Sequence, residues 1–307
     1  MIIGGVMKRF LLLAILMIPG VLLSQYERPG TTLGQSLRIG PNARACGMGE
    51  AYLSIAEDAS ALYYNPAGLS LLEGRDIFAT HTPWFAGINY EFLGIAQEFP
   101  GWGTFGLSFA TLYTDKMEVR TPLRPDGTGE YFYWIDYSLG FSYGRALTDK
   151  ASIGVTAKFI RMESYGYSTQ ALCGDIGTLF QTNWMDTRFG MKISNFGPNL
   201  QFIEEASPLP TSFAFGVSTR PLENLTVGFV FDKPTDSRER ASLGGEYELL
   251  GMFIVRAGYK FGYDEETWSL GVGFEKEVGN IRVKLDYSYS YFGYLIKAER
   301  LSLGLAF

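Results

Sequence analysis

The 307-residue sequence predicts an all-β membrane barrel of about fourteen antiparallel strands, with an N-terminal plug segment that contains short helices. Three observations carry this. Apolar and small or polar residues alternate with a period of two from Arg75 onward. The connections between these segments alternate between tight and long. The chain ends on an apolar ribbon, ERLSLGLAF, with an aromatic last residue. Composition agrees: the chain is 47% hydrophobic and 15% aromatic, has 37 glycines, and is only 19% charged, below the roughly 25% of a soluble domain. The net charge of -6 gives no basic footprint, so no nucleic-acid partner is expected. No apolar stretch of about 20 residues follows position 24, which excludes a helical membrane bundle.

Residues 1–24 read as a secretory signal peptide. Lys8 and Arg9 precede an apolar run from Phe10 to Leu23, and the small Ser24 marks the expected cleavage point. The mature chain would begin at Gln25, and Met7 offers a second possible start. Cys46 and Cys173 lie far apart without a CxxC partner and are expected as small buried thiols.

Residues 75–307 form the expected barrel. In NIRVKLDYSYSY, Ile281, Val283, Leu285, Tyr287, Tyr289 and Tyr291 share one face, and Arg282, Lys284, Asp286, Ser288 and Ser290 share the other. TWSLGVGFEK and TFGLSFATLY repeat the pattern. Segments begin near Arg75, Gly87, Trp102, Tyr131, Ala151, Cys173, Asp186, Pro210, Glu223, Glu239, Gly251, Thr267, Asn280 and Lys297. Tight connections are FPG, ALTDK, NWMD, RPLEN and VGN. Long ones are TDKMEVRTPLRPDGTGE, MESYGYSTQAL, NFGPNLQFIEEASPLP and DKPTDSRER. Short turns on one rim and long loops on the other is the layout of an outer-membrane barrel. Period alone also fits a soluble sandwich. The leader, the even strand count and the aromatic strand ends favour lipid as the partner of the apolar face. Those ends are Trp84, Tyr90, Trp102, Tyr133, Trp134, Trp268 and the Tyr287–Tyr291 ladder, expected as interfacial girdles.

The last strand must pair with the first, because lipid offers no water to its backbone groups. Lys297–Phe307 is expected beside Arg75–Thr82, with Leu301, Leu303, Leu305 and Phe307 facing outward. This ribbon resembles the C-terminal signal that the outer-membrane barrel-insertion machinery reads, so that machinery and outer-membrane lipid are expected partners.

Residues 25–74 do not alternate and are rich in Ala, Gly and small polar residues. Asp58 is placed to N-cap a short helix through Leu62 to Tyr64. Asn65 and Pro66 open a further turn, with Asn65 either satisfying backbone groups the turn leaves unpaired or capping a helix. A barrel of this width with Gly, Ser and Ala facing inward leaves space for such a segment in its lumen.

The stretch ARACGMGEAYLSIAEDASALYYNPAGL, Ala43 to Leu69, resembles the N-terminal signature of the PorV/PorQ family of outer-membrane proteins. That family is related to the long-chain fatty-acid transporter (FadL-like) barrels. The resemblance implies fourteen strands with an N-terminal hatch, and a plug motif at Asn65, Pro66, Ala67 and Gly68. Two residues depart from the pattern: Glu50 stands where Gly is expected and Cys46 where an aliphatic residue is expected. The resemblance implies either of two functions. One is an accessory of protein secretion of the type IX kind, binding the C-terminal domains of exported proteins. The other is a channel for hydrophobic small molecules. The inward residues Lys158, Arg256, Arg282, Lys284 and Asp286 argue against a greasy tunnel, whereas Tyr63 and Tyr64 of the plug would line one locally.

No catalytic, metal or cofactor motif stands out. The lone histidine, His81, lacks a GxSxG serine, and no HExxH, CxxC pair or phosphate loop is present. The expectation is a non-enzyme of the bacterial outer membrane without a cofactor.

Overall fold

The computed structural model describes residues 28–295 and 297–307. The expected leader, residues 1–24, lies outside the described residues. Fourteen antiparallel strands form one closed barrel. They are β1 (Arg75–Pro83), β2 (Ile88–Phe99), β3 (Gly103–Thr114), β4 (Trp134–Ala146), β5 (Ala151–Ser164), β6 (Tyr167–Gln181) and β7 (Arg188–Phe196). They continue as β8 (Ser212–Leu222), β9 (Leu225–Pro234), β10 (Arg240–Leu249), β11 (Phe253–Phe261), β12 (Glu266–Val278), β13 (Ile281–Phe292) and β14 (Lys297–Ala306). Each strand pairs with its neighbour in sequence, and β14 closes onto β1.

The closing register sets Ile77 opposite Leu305, Ala79 opposite Leu303 and His81 opposite Leu301. Phe307 extends the ladder beyond the strand: its amide donates to the Arg75 carbonyl at 2.8 Å and its carbonyl accepts from the Arg75 amide at 3.2 Å. Leu301, Leu303 and Phe307 are exposed on the outer surface and Leu305 is half-buried. Gly74 turns the chain from the lumen into β1 with φ 71°, and a Cβ there would lie 2.3 Å from the Phe307 carbonyl oxygen.

The outer surface is apolar, with Leu93, Leu107, Leu139, Phe141, Leu172, Val272 and Leu301 all exposed. The inner surface is small and polar at Ser142, Thr156, Ser288, Ser290 and Ser302, all buried. Some neighbouring hydroxyls pair there, Ser142 with Thr156 at 2.8 Å and Thr80 with Ser302 at 3.0 Å. Apolar outside and polar inside inverts a soluble domain, and lipid is the solvent that stabilises it.

Three sequence expectations are corrected. MESYGYSTQAL is not a long loop: its residues extend β5 and β6, joined by a two-residue turn at Tyr165 and Gly166. Tyr165 has φ 45° and Gly166 φ 81°, and positive φ at both central residues suits the twist of a tight hairpin. Trp84, Tyr90 and Trp134 are not girdle residues but point into the barrel. Tyr90 is fully buried, Trp84 packs on Phe292 at 5.5 Å, and Trp134 stacks on Phe202 at 5.2 Å. Asp58 does not cap the helix Ala61–Tyr64 directly, since Ser60 occupies the N-cap position. The Asp58 carboxylate instead accepts from the Ser60 amide at 3.0 Å, one residue earlier. Trp102, Tyr133, Trp268, Tyr287 and Tyr291 do face outward, and Trp268 stacks on Tyr291 at 5.6 Å.

Candidate functional site: a plugged lumen with an aromatic cavity

The described residues before β1, from position 28 on, pack inside the barrel. It carries two short helices, α1 (Ala43–Gly47) and α2 (Ala61–Tyr64), and a 3-10 turn at Pro66–Leu71. Asn42 caps α1 by accepting from the Arg44 amide at 2.8 Å. Ala43, Met48, Tyr52, Leu62 and Leu69 are almost fully buried.

Glycines in the wall make this packing possible. A Cβ on Gly244 would lie 2.0 Å from the Met48 carbonyl oxygen. One on Gly258 would lie 2.1 Å from the Gly49 amide nitrogen, and one on Gly228 2.2 Å from the Ala51 carbonyl oxygen. Gly154 meets Pro66 at 2.1 Å, and Gly106 meets Leu62 at 2.4 Å. Inward glycines on many of the strands are therefore sites where plug backbone or side chain occupies the volume of a missing side chain, among them Gly106, Gly144, Gly154, Gly177, Gly228, Gly244 and Gly258.

Asn65 sits against Gly177, where a Cβ would be 2.1 Å from its Oδ1. It performs both tasks that the sequence left open. Oδ1 accepts from the Ala67 amide at 3.2 Å and caps the turn, while Nδ2 donates to the Leu53 carbonyl at 3.2 Å and to the Thr178 carbonyl of β6 at 3.1 Å. Pro66 holds the first helical position of the turn, where its missing N–H costs nothing. Ala67 is fully buried, and a Cβ on Gly68 would strike the Ala56 carbonyl oxygen at 2.0 Å.

Ion pairs fasten the other side of the plug, and none of them was evident from sequence spacing. Arg44 grips Glu246 with two bonds at 2.5 and 2.9 Å. Arg256 bridges Glu246 at 3.1 Å and Asp286 at 2.7 Å. Arg188 holds Glu57 at 2.8 Å, and Lys284 holds Asp58 at 3.3 Å. Burial opposes the charge of Asp58, yet Lys284 and the Ser60 bonds more than reverse this and hold its pKa down at about 2. These groups surround a small polar pocket of about 230 Å³ at the rim of short turns. By the usual layout that rim faces the periplasm.

Glu50 occupies a left-handed conformation, φ 61°, at the position where the resemblance expects Gly. Such a conformation costs an ordinary residue roughly 1–2 kcal/mol. Its carboxylate is held by Lys260 at 2.5 Å, and Lys260 also binds Glu266 at 2.7 Å. Cys46 and Cys173 are free and buried. Burial raises the Cys46 thiol pKa to about 12, so it is inert as a nucleophile.

Toward the opposite rim lies a larger cavity of about 750 Å³. Its β1–β3 side is aromatic and aliphatic, with Tyr90, Phe92, Leu112 and, from the plug, Leu62, Tyr63 and Tyr64. Trp84, Phe85, Phe292 and Leu295 reach it at the long-loop rim. Tyr63 and Tyr64 thus line the cavity locally, as expected, and the expectation that the barrel wall itself is small and polar is corrected at Tyr90, Phe92 and Leu112. β2 reads INYEFLGIAQEF, with apolar residues on both faces, and its inward Tyr90 and Phe92 pack on the plug while Leu93 and Ile95 meet lipid. The charged lining is mostly paired: Asp175 binds Lys158 at 2.6 Å and Lys192 at 3.0 Å, and Arg38 binds Asp236 at 2.7 Å. Arg300 lies over the Trp84 ring at 5.2 Å and donates to the Gly40 carbonyl. Among the described residues no group of three or more His, Cys, Asp or Glu side chains could hold a metal. His81 is an exposed residue on β1 hydrogen-bonded to Glu91 at 2.7 Å.

No family model and no curated protein sequence matches this chain. Solved structures do. The chain is similar to the Ralstonia pickettii toluene transporter TbuX, with 15% identity, a TM-score of 0.62, and coverage of 87% of this chain and 97% of that one. A Pseudomonas aeruginosa FadL homologue aligns at 11% identity and TM-score 0.61 over 92% and 99% of the two chains. The Pseudomonas putida toluene transporter TodX aligns at 13% identity and TM-score 0.57 over 87% and 96%. The FadL-like half of the expected resemblance is thus supported as a fold, while nothing in the comparisons bears on PorV/PorQ membership. The protein is a fourteen-stranded barrel of the bacterial outer membrane with the fold of the FadL-like transporters.

Proposed function

We propose that the protein is a channel that admits hydrophobic small molecules through the outer membrane, with the aromatic cavity as its outer binding site. One observation carries this reading. The lumen above the plug holds an aromatic and aliphatic wall and reaches the long-loop rim, while its charges are largely neutralised by one another. A site that binds apolar solutes needs such a wall and a few oriented polar groups. The printed functions of TbuX and TodX, toluene transporters of the same fold, support the same reading. An accessory role in protein secretion, the other function implied by the PorV/PorQ resemblance, has no such support. The protein would act without catalysis or cofactor.

The test is uptake. The chain is expressed in a bacterium lacking its own hydrophobic-compound channels, and entry of toluene is followed against an empty-vector control. Faster entry is expected, and Phe85→Arg, which puts a charge on the partly exposed mouth of the aromatic wall, should remove the gain while leaving a folded barrel. Entry no faster than the control would overturn the channel reading. Loss of exported proteins from the cell surface on deleting the gene would favour the secretion role instead.

A further inference from the structure

A deeply buried carboxylate in the cavity has no cation. Asp136 projects inward from β4 and is 5% exposed. It borders the cavity, and among the described residues no cationic side chain stands within ion-pair distance of its carboxyl. Its Oδ1 has no hydrogen-bond partner. Other acids of the lining differ: Glu50 and Glu266 share Lys260, and Asp175 has two lysines. The neighbours of Asp136 across the sheet are apolar, Leu112 on β3 and Met162 on β5, with Tyr90 next in the same row. Trp134 stands beside it, stacked on Phe202.

A buried ionised carboxylate without a partner is costly, and the wall supplies nothing to offset it. The surroundings specify what would. A single carboxylate with an apolar ring around it is too poor in oxygen ligands for a divalent metal. It suits an organic cation whose ammonium group pairs with the carboxylate and whose hydrocarbon body lies on the aromatic wall, with the indole of Trp134 lining the same cavity for a cation–π contact. We propose that the cavity selects amphiphilic organic ammonium ions, with Asp136 as the residue that binds the charged end. This rests on the channel reading above and names the class of solute admitted.

The test uses two probes of one shape, 2-phenylethylammonium and the uncharged 2-phenylethanol, titrated calorimetrically into the full barrel in a non-ionic detergent. The ammonium should bind about tenfold more tightly or better, as one charge-assisted hydrogen bond and a cation–π contact imply. Asp136→Asn should erase that preference and leave 2-phenylethanol binding unchanged. A second measurement needs no variant: carbodiimide labelling of Asp136, read by mass spectrometry, should be blocked by the ammonium and not by the alcohol. Equal binding of the two probes, a preference that survives in Asp136→Asn, or labelling that the ammonium fails to block would each overturn the proposal and leave the channel reading standing. Binding of neither probe would overturn both.

Discussion

The two halves of the lumen are built in opposite ways. Toward the short-turn rim the plug and wall touch backbone to backbone: Met48 lies against Gly244, Gly49 against Gly258 and Pro66 against Gly154. Charged groups there are interlocked, as in Arg44–Glu246–Arg256–Asp286. Only small pockets of about 230 and 300 Å³ are left there. Toward the long-loop rim the wall carries Tyr90, Phe92 and Leu112 instead of glycine, and a cavity of about 750 Å³ remains open. Inward side-chain volume thus decides where the barrel is sealed. Where the wall has no Cβ the plug advances into contact, and where it has large rings they stand off and line a void. A barrel of this width closes only where both contribute.

The largest effect should come from putting volume where the plug lies. Gly258→Leu forces its Cβ against Gly49, whose backbone is fixed by its own turn. Overpacking costs typically about 1–3 kcal/mol, and contact with backbone that cannot yield puts this variant at or beyond the top of that range. Ala214→Leu, a similar change on the cavity side, should be tolerated. Heat-modifiable migration of the folded barrel on gels separates them. Equal folding of both variants would mean the plug is loosely seated and the contrast between the halves is false.

A somewhat smaller loss is expected from Arg256→Leu. It leaves Asp286 buried without its cation, while Glu246 keeps Arg44. Orphaning one member of a buried pair costs about 3–5 kcal/mol, and the Arg44 bonds that remain should hold the loss to the lower end. Urea unfolding of the vesicle-inserted barrel measures it. A loss below about 1 kcal/mol, the level of an exposed pair, would show that water reaches this network freely.

The smallest effect is the pH dependence of the plug. The Asp58 pKa is held at about 2 in the folded chain, below the value near 3.9 of an unfolded one. A depressed folded pKa means stability that is fully present above about pH 4 and is lost as pH falls through about 2. Protease protection of residues 44–73, followed from pH 5 down to about 2, should fall in that window. Asp58→Asn should remove the dependence, and an unchanged acid response in that variant would place the acid-sensitive contact elsewhere.

Much of this architecture is legible in the residues. Alternation in NIRVKLDYSYSY specifies both faces of β13, because a strand's side chains can only point two ways. The leucines of ERLSLGLAF specify the outer face of the closing strand for the same reason. Alternating turn lengths specify the two rims. The site was harder to read. In β2 both faces are apolar, so period cannot say which one meets lipid, and Tyr90 passes for a girdle residue. In MESYGYSTQAL, polar residues on strands that extend past the bilayer look like a loop.

Sequence by itself determined that the chain is a barrel, how many strands it has, which residues face outward on the regular strands and that an apolar, small-residue segment precedes them. Local periodicity and turn chemistry encode those features over a few residues. Tertiary structure alone decided which glycines the plug fills, which acid meets which base, and that Asp136 meets none. Arg44 and Glu246 stand 202 positions apart, and Asn65 and Thr178 stand 113 apart. Such partners come together only once fourteen strands have closed around the plug, since closure, not any local pattern, sets the height and angle at which each strand's inward residues meet it.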